Sequence, residues 1–200
     1  MVNMVKLLAM DSGSGAGMTR LVMFEKIVQL DKYLNQEFVG SGGKFLQGLG
    51  IFIDSASGMV VFGVIGLIAA LYFCKTKKWR ELALFFAAGA GAVFWELFLK
   101  WVFGRPRPGA LSPTDGFSFP SGHATVSLAV FGAIIYLFAP RIKNKNWRKI
   151  FIGACALFIL LIGVSRVYLG VHWFSDVVAG FALGLVWLWL VIFGFKRFWR

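Results

Sequence analysis

The sequence predicts an all-α integral membrane protein, a bundle of about five transmembrane helices with an N-terminal amphipathic helix at the membrane interface. The 200-residue chain is 58% hydrophobic and only 15% charged, whereas a soluble domain carries about 25% charged residues. Its mean hydropathy is +0.75, and its 22 Phe and 8 Trp exceed what a small water-facing core can absorb. These values exclude disordered, collagen-like and disulfide-scaffold proteins.

The N-terminal part of the chain contains no apolar run that is long enough to span a bilayer. Residues 1–19 include a Gly- and Ser-rich stretch and are predicted to be a flexible tail or a cloning remnant. In residues 20–54, apolar side chains recur at steps of three and four, which predicts an amphipathic helix that lies in the outer membrane interface or packs on the outer ends of the bundle. The apolar stripe consists of Met23, Ile27, Leu30, Leu34 and Phe38.

Residues 55–200 carry five apolar stretches, which we assign as the transmembrane domain. Such stretches approach or reach the length needed to cross the roughly 30 Å hydrocarbon layer as helices, and a helix satisfies its own backbone polar groups in lipid. The first and last stretches contain no formal charge. In chain order, the predicted spans cover residues 55–73, 82 to about 103, 121–139, 150–165 and 177–195, with Trp147 as an alternative start of the fourth span.

The distribution of charge predicts the orientation of these spans. The chain has 21 Lys and Arg residues against 9 Asp and Glu, a net charge of +12. On a soluble protein this excess would favour nucleic acid, but on an apolar chain we predict no nucleic-acid partner. Twelve cations fall on one side of a five-span topology, and the positive-inside rule identifies that side as the cytoplasm. They are Lys75, Lys77, Lys78, Arg80, Arg141, Lys143, Lys145, Arg148, Lys149, Lys196, Arg197 and Arg200. The sequence therefore predicts a multi-pass protein of the inner (cytoplasmic) membrane.

Four further cations lie at the opposite face, near the chain's two histidines, and they predict an anion site. These residues are Lys100, Arg105, Arg107 and Arg166, with His123 and His172. One ammonium and several planar guanidinium groups suit a tetrahedral oxyanion such as phosphate. At the start of the third span, Ser121 and Gly122 add free backbone N–H groups and the positive end of a helix dipole, and Gly122 permits close approach of the backbone.

The two histidines supply the reactive groups that this anion site would need. His172 and Asp176 are four residues apart, so on a helix they share one face, and the carboxylate can fix the tautomer of the imidazole. An imidazole activated in this way can act as a nucleophile on a bound phosphate. His123 can then protonate the leaving oxygen. The pattern predicts phosphoryl transfer at the outer, periplasmic face of the membrane.

Other polar residues near the site have less direct predicted roles. Glu96 precedes Lys100 by one turn, and we predict an i,i+4 ion pair that holds the lysine, with a substrate-facing Glu96 as the alternative. Arg105 is predicted to contact a substrate headgroup or to anchor a lipid phosphate at the interface. The loop that contains Asp115 could cover the pocket. A metal site would need more acidic or thiol ligands, so we predict no metal and no cofactor. Ser121 also lacks the Gly-x-Ser-x-Gly elbow of a serine hydrolase.

Three motifs in order resemble the signature of the type-2 phosphatidic acid phosphatase (PAP2) superfamily. The motifs are Lys100-x6-Arg107-Pro108, Pro120-Ser121-Gly122-His123 and Ser165-Arg166-x5-His172-x3-Asp176, and the resemblance covers roughly residues 82–195. It implies a metal-independent lipid phosphatase that acts through a phosphohistidine. It further implies that His172 is the nucleophile, Asp176 its partner and His123 the general acid. The implied phosphate ligands are Lys100, Arg107, Ser121, Gly122 and Arg166, with Ser165 as a further member of the motif.

The resemblance also limits the substrate and the competing functions. It implies a lipid phosphate substrate such as phosphatidylglycerophosphate, phosphatidate, undecaprenyl diphosphate or a lipid A phosphate. The short chain looks like the compact bacterial branch that includes the type-B phosphatidylglycerophosphate phosphatases. Two alternatives stay open: a lipid phosphotransferase that uses the same phosphohistidine, and a non-catalytic phosphate-binding membrane protein. Vanadium-dependent haloperoxidases share this type of pocket, but they are soluble and larger.

Overall fold

The computed structural model describes residues 15–39, 41, 43–56, 58–108 and 116–198, which form helices and no β-strand. In chain order the helices are α1 (Gly15–Phe38), α2 (Gly43–Ala56), α3 (Met59–Lys75), α4 (Trp79–Phe103), α5 (Gly122–Phe138), a short 3-10 helix (Ala139–Arg141), α6 (Lys145–Tyr168) and α7 (Phe174–Phe198). The all-α fold is confirmed. Most of the predicted tail and the whole segment 109–115, with Asp115, lie outside the described residues.

Four helical segments of the described chain are long and apolar enough to cross a membrane. They are α4, the segment Gly122–Arg141, α6 and α7. A fifth span results if α2 and α3 together form one span that is bent by about 40°. The predicted bundle of about five spans is thereby confirmed, and the chain is an integral membrane protein.

The first predicted span, residues 55–73, is wrong in one respect, because it is not one continuous helix. α2 ends at Ala56 and α3 begins at Met59. Between them Gly58 has extended backbone angles, φ −69° and ψ 163°, and it is the N-cap of α3. An extended residue cannot continue the hydrogen bonding of α2, so the chain changes direction there. α2 packs against α6.

The fourth predicted span, residues 150–165, is too short at both ends. α6 begins at Lys145 because the side chain of Asn144 caps it: Oδ1 accepts the backbone N–H groups of Asn146 at 2.9 Å and Trp147 at 3.2 Å. At its other end the helix continues to Tyr168. Arg166 therefore lies within the last turn of α6 and is buried.

α5 is the centre of the bundle and packs against α4, α6 and α7, most extensively against α7. Small residues make this last contact close. A Cβ atom at Gly180 would lie 2.7 Å from the carbonyl oxygen of Ser121, and one at Gly184 would lie 2.6 Å from the carbonyl oxygen of Thr125. Close approach at small residues is typical of membrane helix pairs. It brings the N-terminus of α5 next to the first turn of α7.

We expect the Gly180→Ala substitution to destabilise the protein, because the added methyl group would force α5 and α7 apart. The expected loss is about 1–3 kcal/mol in the free energy of unfolding, measured by denaturant titration in detergent. Gly194→Ala is the matched control on the same helix, since a Cβ atom there meets nothing within 4 Å. Equal stability of the two variants would show that the α5–α7 contact does not depend on this glycine.

α1 packs against α6 and α7, and it leaves most of its predicted apolar stripe uncovered. Met23, Ile27, Leu30 and Phe38 are exposed. Asp31, which the helical spacing places off this stripe, is buried. The helix thus docks on the bundle through a carboxylate and presents apolar side chains outward, as expected for a helix at a membrane interface.

Candidate active site

The described structure brings the predicted site residues together at one end of the bundle. The C-terminal end of α4 supplies Lys100, and the loop after it supplies Arg105 and Arg107. The N-terminus of α5 supplies Ser121, Gly122 and His123. The end of α6, the turn that follows and the start of α7 supply Ser165, Arg166, His172 and Asp176. The backbone N–H of Ser121 donates to the backbone carbonyl of Asp176 at 3.0 Å, which joins the second and third motifs directly.

His172 is 2% exposed and lies between an acid and a cation. Its Nδ1 is 3.6 Å from Oδ2 of Asp176, and its Nε2 is 3.4 Å from Nη1 of Arg107. The expectation that the pair shares a helix face needs correction, because α7 begins only at Phe174 and His172 precedes it. The backbone N–H of Trp173 donates to Oδ2 of Asp176 at 3.0 Å, and this turn keeps His172 beside the carboxylate.

Burial lowers the pKa of His172 below its ordinary value of 6.5. Asp176 acts in the opposite direction and raises it, whereas the charges of Arg107 and Lys100 lower it further. A lowered pKa keeps the imidazole uncharged at neutral pH, which is the form with a free lone pair. With Nδ1 facing the carboxylate, the lone pair is at Nε2, on the side of Arg107.

The remaining cations are held by neighbours that fix their direction. The predicted pair of Lys100 and Glu96 is confirmed as an i,i+4 salt bridge within α4. Arg107 donates through Nη1 to the backbone carbonyl of Val171 at 3.0 Å. Ser165 accepts from Nε and Nη2 of Arg166 at 3.4 and 3.3 Å, so this motif serine orients the guanidinium.

The N-terminus of α5 has a polar group that is suited to an anion. Ser121 is fully buried, and its Oγ has no hydrogen-bond partner among the described residues. A buried hydroxyl without a partner is costly, and that of Ser121 remains available to donate a hydrogen bond at the N-terminus of α5. At Gly122 a Cβ atom would lie 2.7 Å from Oε1 of Glu96, so the glycine also makes room for this carboxylate.

Asp54, which the sequence reasoning missed, also lies in the site. Its Oδ1 forms a salt bridge with Nη1 of Arg166 and is 3.9 Å from Nε2 of His123. It comes from α2, just before the bend, and its side chain is 46% exposed. One signal was available in the sequence, since Asp54 is the only charged residue between Lys44 and Lys75. A lone carboxylate in an apolar stretch is costly unless it is paired.

The position of Arg105 differs from the prediction that it contacts a headgroup or a lipid phosphate at the interface, because its side chain is buried. It is 8% exposed, and its guanidinium joins two carboxylates, with Nη1 2.6 Å from Oδ1 of Asp176 and Nη2 2.6 Å from Oδ2 of Asp31. The turn at Gly104 ends α4 with a left-handed conformation, φ +55°, which glycine adopts without strain. The chain therefore reverses and Arg105 points into the protein.

Comparison with known proteins identifies the family of this site. Residues 79–200 match the model of the PAP2 superfamily. The chain belongs to the PAP2 superfamily. The matched segment contains every residue of the three motifs and excludes α1, α2 and α3. The PAP2 site residues are therefore built on α4 to α7 and their loops, to which Asp31 and Asp54 are added from outside.

Individual PAP2 proteins are similar over most of this chain. Phosphatidylglycerophosphatase B of Bacillus subtilis is 35% identical over 145 residues, which are 68% of this chain and 69% of that protein. Undecaprenyl-diphosphatase of Sulfolobus acidocaldarius is 30% identical over 166 residues, 78% of this chain and 72% of that protein. The crystal structure of the transmembrane PAP2-type phosphatidylglycerolphosphate phosphatase from Bacillus subtilis superposes with a TM-score of 0.74 and 25% identity, covering 96% of this chain and 92% of that chain.

Proposed function

We propose that this chain is a membrane lipid phosphatase that hydrolyses a phosphomonoester or diphosphate of a lipid through a phosphohistidine on His172, without a metal. A PAP2-type phosphatase is the activity class to which its family and relatives belong. The single observation that carries the mechanism is the setting of His172, whose buried imidazole has Nδ1 toward Asp176 and Nε2 toward Arg107.

In the first step, Nε2 of His172 attacks the phosphorus atom and a P–N bond forms as the bond from phosphorus to the lipid oxygen breaks. His123 donates a proton to that oxygen, and the lipid leaves as an alcohol or, from a diphosphate, as a monophosphate. The phosphorylated imidazole gains positive charge, which the carboxylate of Asp176 stabilises. Lys100, Arg107 and Arg166 balance the charge on the phosphoryl oxygens, together with Ser121 and the backbone N–H groups at the start of α5.

In the second step, water attacks the phosphohistidine and the P–N bond breaks. His123, now without its proton, accepts one from the water, so that inorganic phosphate is released and both histidines return to their initial state. Every proton and bond in this cycle is accounted for by the chain's own residues and water. Glu96, Ser165 and Arg105 support the cycle through Lys100, Arg166 and Asp176 respectively.

The substrate is a lipid with a terminal phosphate that reaches the outer leaflet. The names of the relatives support a lipid phosphate of either kind, monoester or diphosphate, since one is a phosphatidylglycerophosphatase and another an undecaprenyl-diphosphatase. The charge pattern supports the orientation: the basic segment of Lys75, Lys77 and Lys78 lies at one end of α3 and α4, and Lys100 lies near the opposite end of α4. By the positive-inside rule, the site then faces the periplasm and the protein belongs to the inner membrane.

A phosphate-release assay in detergent micelles tests the proposal. Phosphatidylglycerophosphate, phosphatidate, undecaprenyl diphosphate and a lipid A phosphate are offered separately, each with and without EDTA. We expect turnover of at least one of them, unchanged by EDTA, because the proposed mechanism balances the charge of the phosphate with Lys100, Arg107 and Arg166. Loss of activity on chelation would overturn the metal-free mechanism.

The same assay separates the alternatives. A phosphotransferase would also consume the lipid substrate. It would transfer the phosphate to an added alcohol or lipid acceptor faster than it releases inorganic phosphate. A non-catalytic protein would bind the lipid without turnover. Orientation is tested by a cysteine placed at Phe117 in a variant without Cys74 and Cys155: we expect labelling by an impermeant reagent from the periplasm, and labelling only from the cytoplasm would invert the topology.

A further inference from the structure

Among the described residues, Asp31 of α1 is the most deeply buried acid outside the PAP2 motifs. It is 1% exposed, and both of its oxygens accept hydrogen bonds. Oδ1 accepts the backbone N–H of Ser175 at 2.9 Å, while Oδ2 accepts the hydroxyl of Ser175 at 2.6 Å and Nη2 of Arg105 at 2.6 Å. A carboxylate held by three donors is fixed in position. This arrangement places it against the residue that precedes Asp176.

Arg105 connects Asp31 to the site. Its Nη1 donates to Oδ1 of Asp176 at 2.6 Å and to the hydroxyl of Ser175 at 2.7 Å, and its guanidinium lies over the ring of Trp173, 5.3 Å from the ring centre. Asp176 is fully buried. The Oδ1 atom of Asp176 accepts the hydrogen bond from Arg105, and its Oδ2 atom lies on the side of His172.

The charges in this group depend on one another. Arg105 serves two carboxylates, so each of them receives only part of its positive charge. If Asp31 were neutral, Asp176 would be the one anionic partner left to the guanidinium among the described residues, and a buried cation must be paired. Asp176 would then stabilise the phosphorylated imidazole less well, and one more positive charge would act on His172.

We propose that Asp31 and Arg105 are positioning residues for the His172–Asp176 pair, which makes the N-terminal helix α1 a working part of the active site. The proposal rests on the function proposed above. Neither residue touches the substrate. Arg105 holds Asp176 by a direct hydrogen bond, and Asp31 determines how much of the positive charge of Arg105 acts on the carboxylate of Asp176.

A purely structural role of Asp31 is the competing explanation, since the same bonds dock α1 on α7. The two explanations differ in what they predict for protein that remains folded. A docking residue changes the fraction of folded protein and leaves the chemistry of the folded fraction unaltered. A positioning residue changes the turnover and the titration of His172 in the folded fraction.

The kinetic test compares Asp31→Asn with Glu37→Gln, which removes one exposed carboxylate from the same helix. Both are assayed with a short-chain phosphatidate in micelles after gel filtration, so that only folded protein is measured. For Asp31→Asn we expect kcat to fall by about 10- to 100-fold with KM within threefold. Glu37→Gln is expected to keep the wild-type kcat, and Asp31→Glu to recover part of the loss.

The second test needs no turnover. The chain has two histidines, so ring-labelled histidine gives two signals by NMR, and a His123→Asn variant assigns the one from His172. The groups around His172 are Arg107, Asp176, Lys100 and His123. We expect Asp31→Asn to move the titration of His172 to lower pH, because the added positive charge disfavours the imidazolium. Glu37→Gln should leave it in place.

The outcomes separate the two proposals. An unchanged kcat together with an unchanged titration in Asp31→Asn overturns the positioning role. If wild-type protein turns over none of the lipid phosphates, the proposed function fails, and the titration still decides whether Asp31 acts on His172. If Asp31→Asn yields no folded protein, Arg105→Lys is the deciding variant. It keeps the positive charge but loses the two Nη groups that bond both carboxylates. A kcat loss of about tenfold at constant KM supports the positioning role, and a wild-type kcat overturns it.

Discussion

Substitution of His172 by alanine is expected to abolish phosphate release, lowering kcat by at least about 10⁴-fold. The loss should be this large because the proposed P–N bond has no other nucleophile to form on. His123 is the only other imidazole in the chain, and it is assigned to proton transfer. The measurement is phosphate release from a lipid phosphate in micelles, with thermal unfolding to show that the variant is folded.

Trapping of the intermediate completes this test. Wild-type protein that is quenched during turnover of a ³²P-labelled lipid should carry phosphate that is labile in acid and stable in base, and the His172→Ala variant should carry none. Glu37→Gln serves as the control for label incorporation. A His172→Ala variant that keeps more than a tenth of the wild-type rate would remove this residue as the nucleophile.

The second large effect is expected from His123→Asn, which removes the proposed general acid and base. For a lipid substrate, whose leaving oxygen is strongly basic, we expect kcat to fall by about 10²- to 10⁴-fold. A p-nitrophenyl phosphate ester has a leaving group that departs without a proton, so its first step should be much less affected. Hydrolysis of the phosphohistidine still needs the base, and the intermediate should therefore accumulate.

A rapid-quench experiment reads this difference directly. With the p-nitrophenyl ester, the His123→Asn variant should release nitrophenol in a burst of about one equivalent per protein, followed by a slow steady state. An equal loss for both leaving groups, without a burst, would contradict the proton-transfer role and would assign His123 to the binding of phosphate.

The sequence predicted those parts of the fold and site that depend on neighbours along the chain. Apolar length predicted the spans, and the i,i+4 spacing of Glu96 and Lys100 predicted their salt bridge. The same spacing predicted that His172 and Asp176 lie close together, and they do, but for a reason that differs from the predicted one. The two residues meet across the turn that Trp173 and Asp176 stabilise at the start of α7, and not on the face of a helix.

The contacts that the sequence could not predict are those between distant elements. Asp31 has the helical spacing of a polar-face residue, and this period separates apolar from polar positions without showing which polar side chain finds a buried partner. Its partner Arg105 lies 74 residues away. The sequence predicts a surface position for Arg105, because it does not show the backbone conformation at Gly104 that turns the chain inward. Asp54 reaches Arg166 from the end of α2, next to the bend between α2 and α3.

The position of Asp54 has a consequence for how a phosphate group binds. The site contains four cations, Lys100, Arg105, Arg107 and Arg166, and four carboxylates, Glu96, Asp176, Asp31 and Asp54. The pocket is therefore close to electrically neutral before a substrate arrives, and the carboxylate of Asp54 already holds Arg166. Under the proposed function, a phosphate group that binds Arg166 exchanges with this carboxylate, and we expect its apparent affinity to be reduced by the free energy needed to displace Asp54. Because Asp54 lies outside the family segment, we expect a different N-terminal segment to alter this exchange without a change in any residue of the PAP2 motifs.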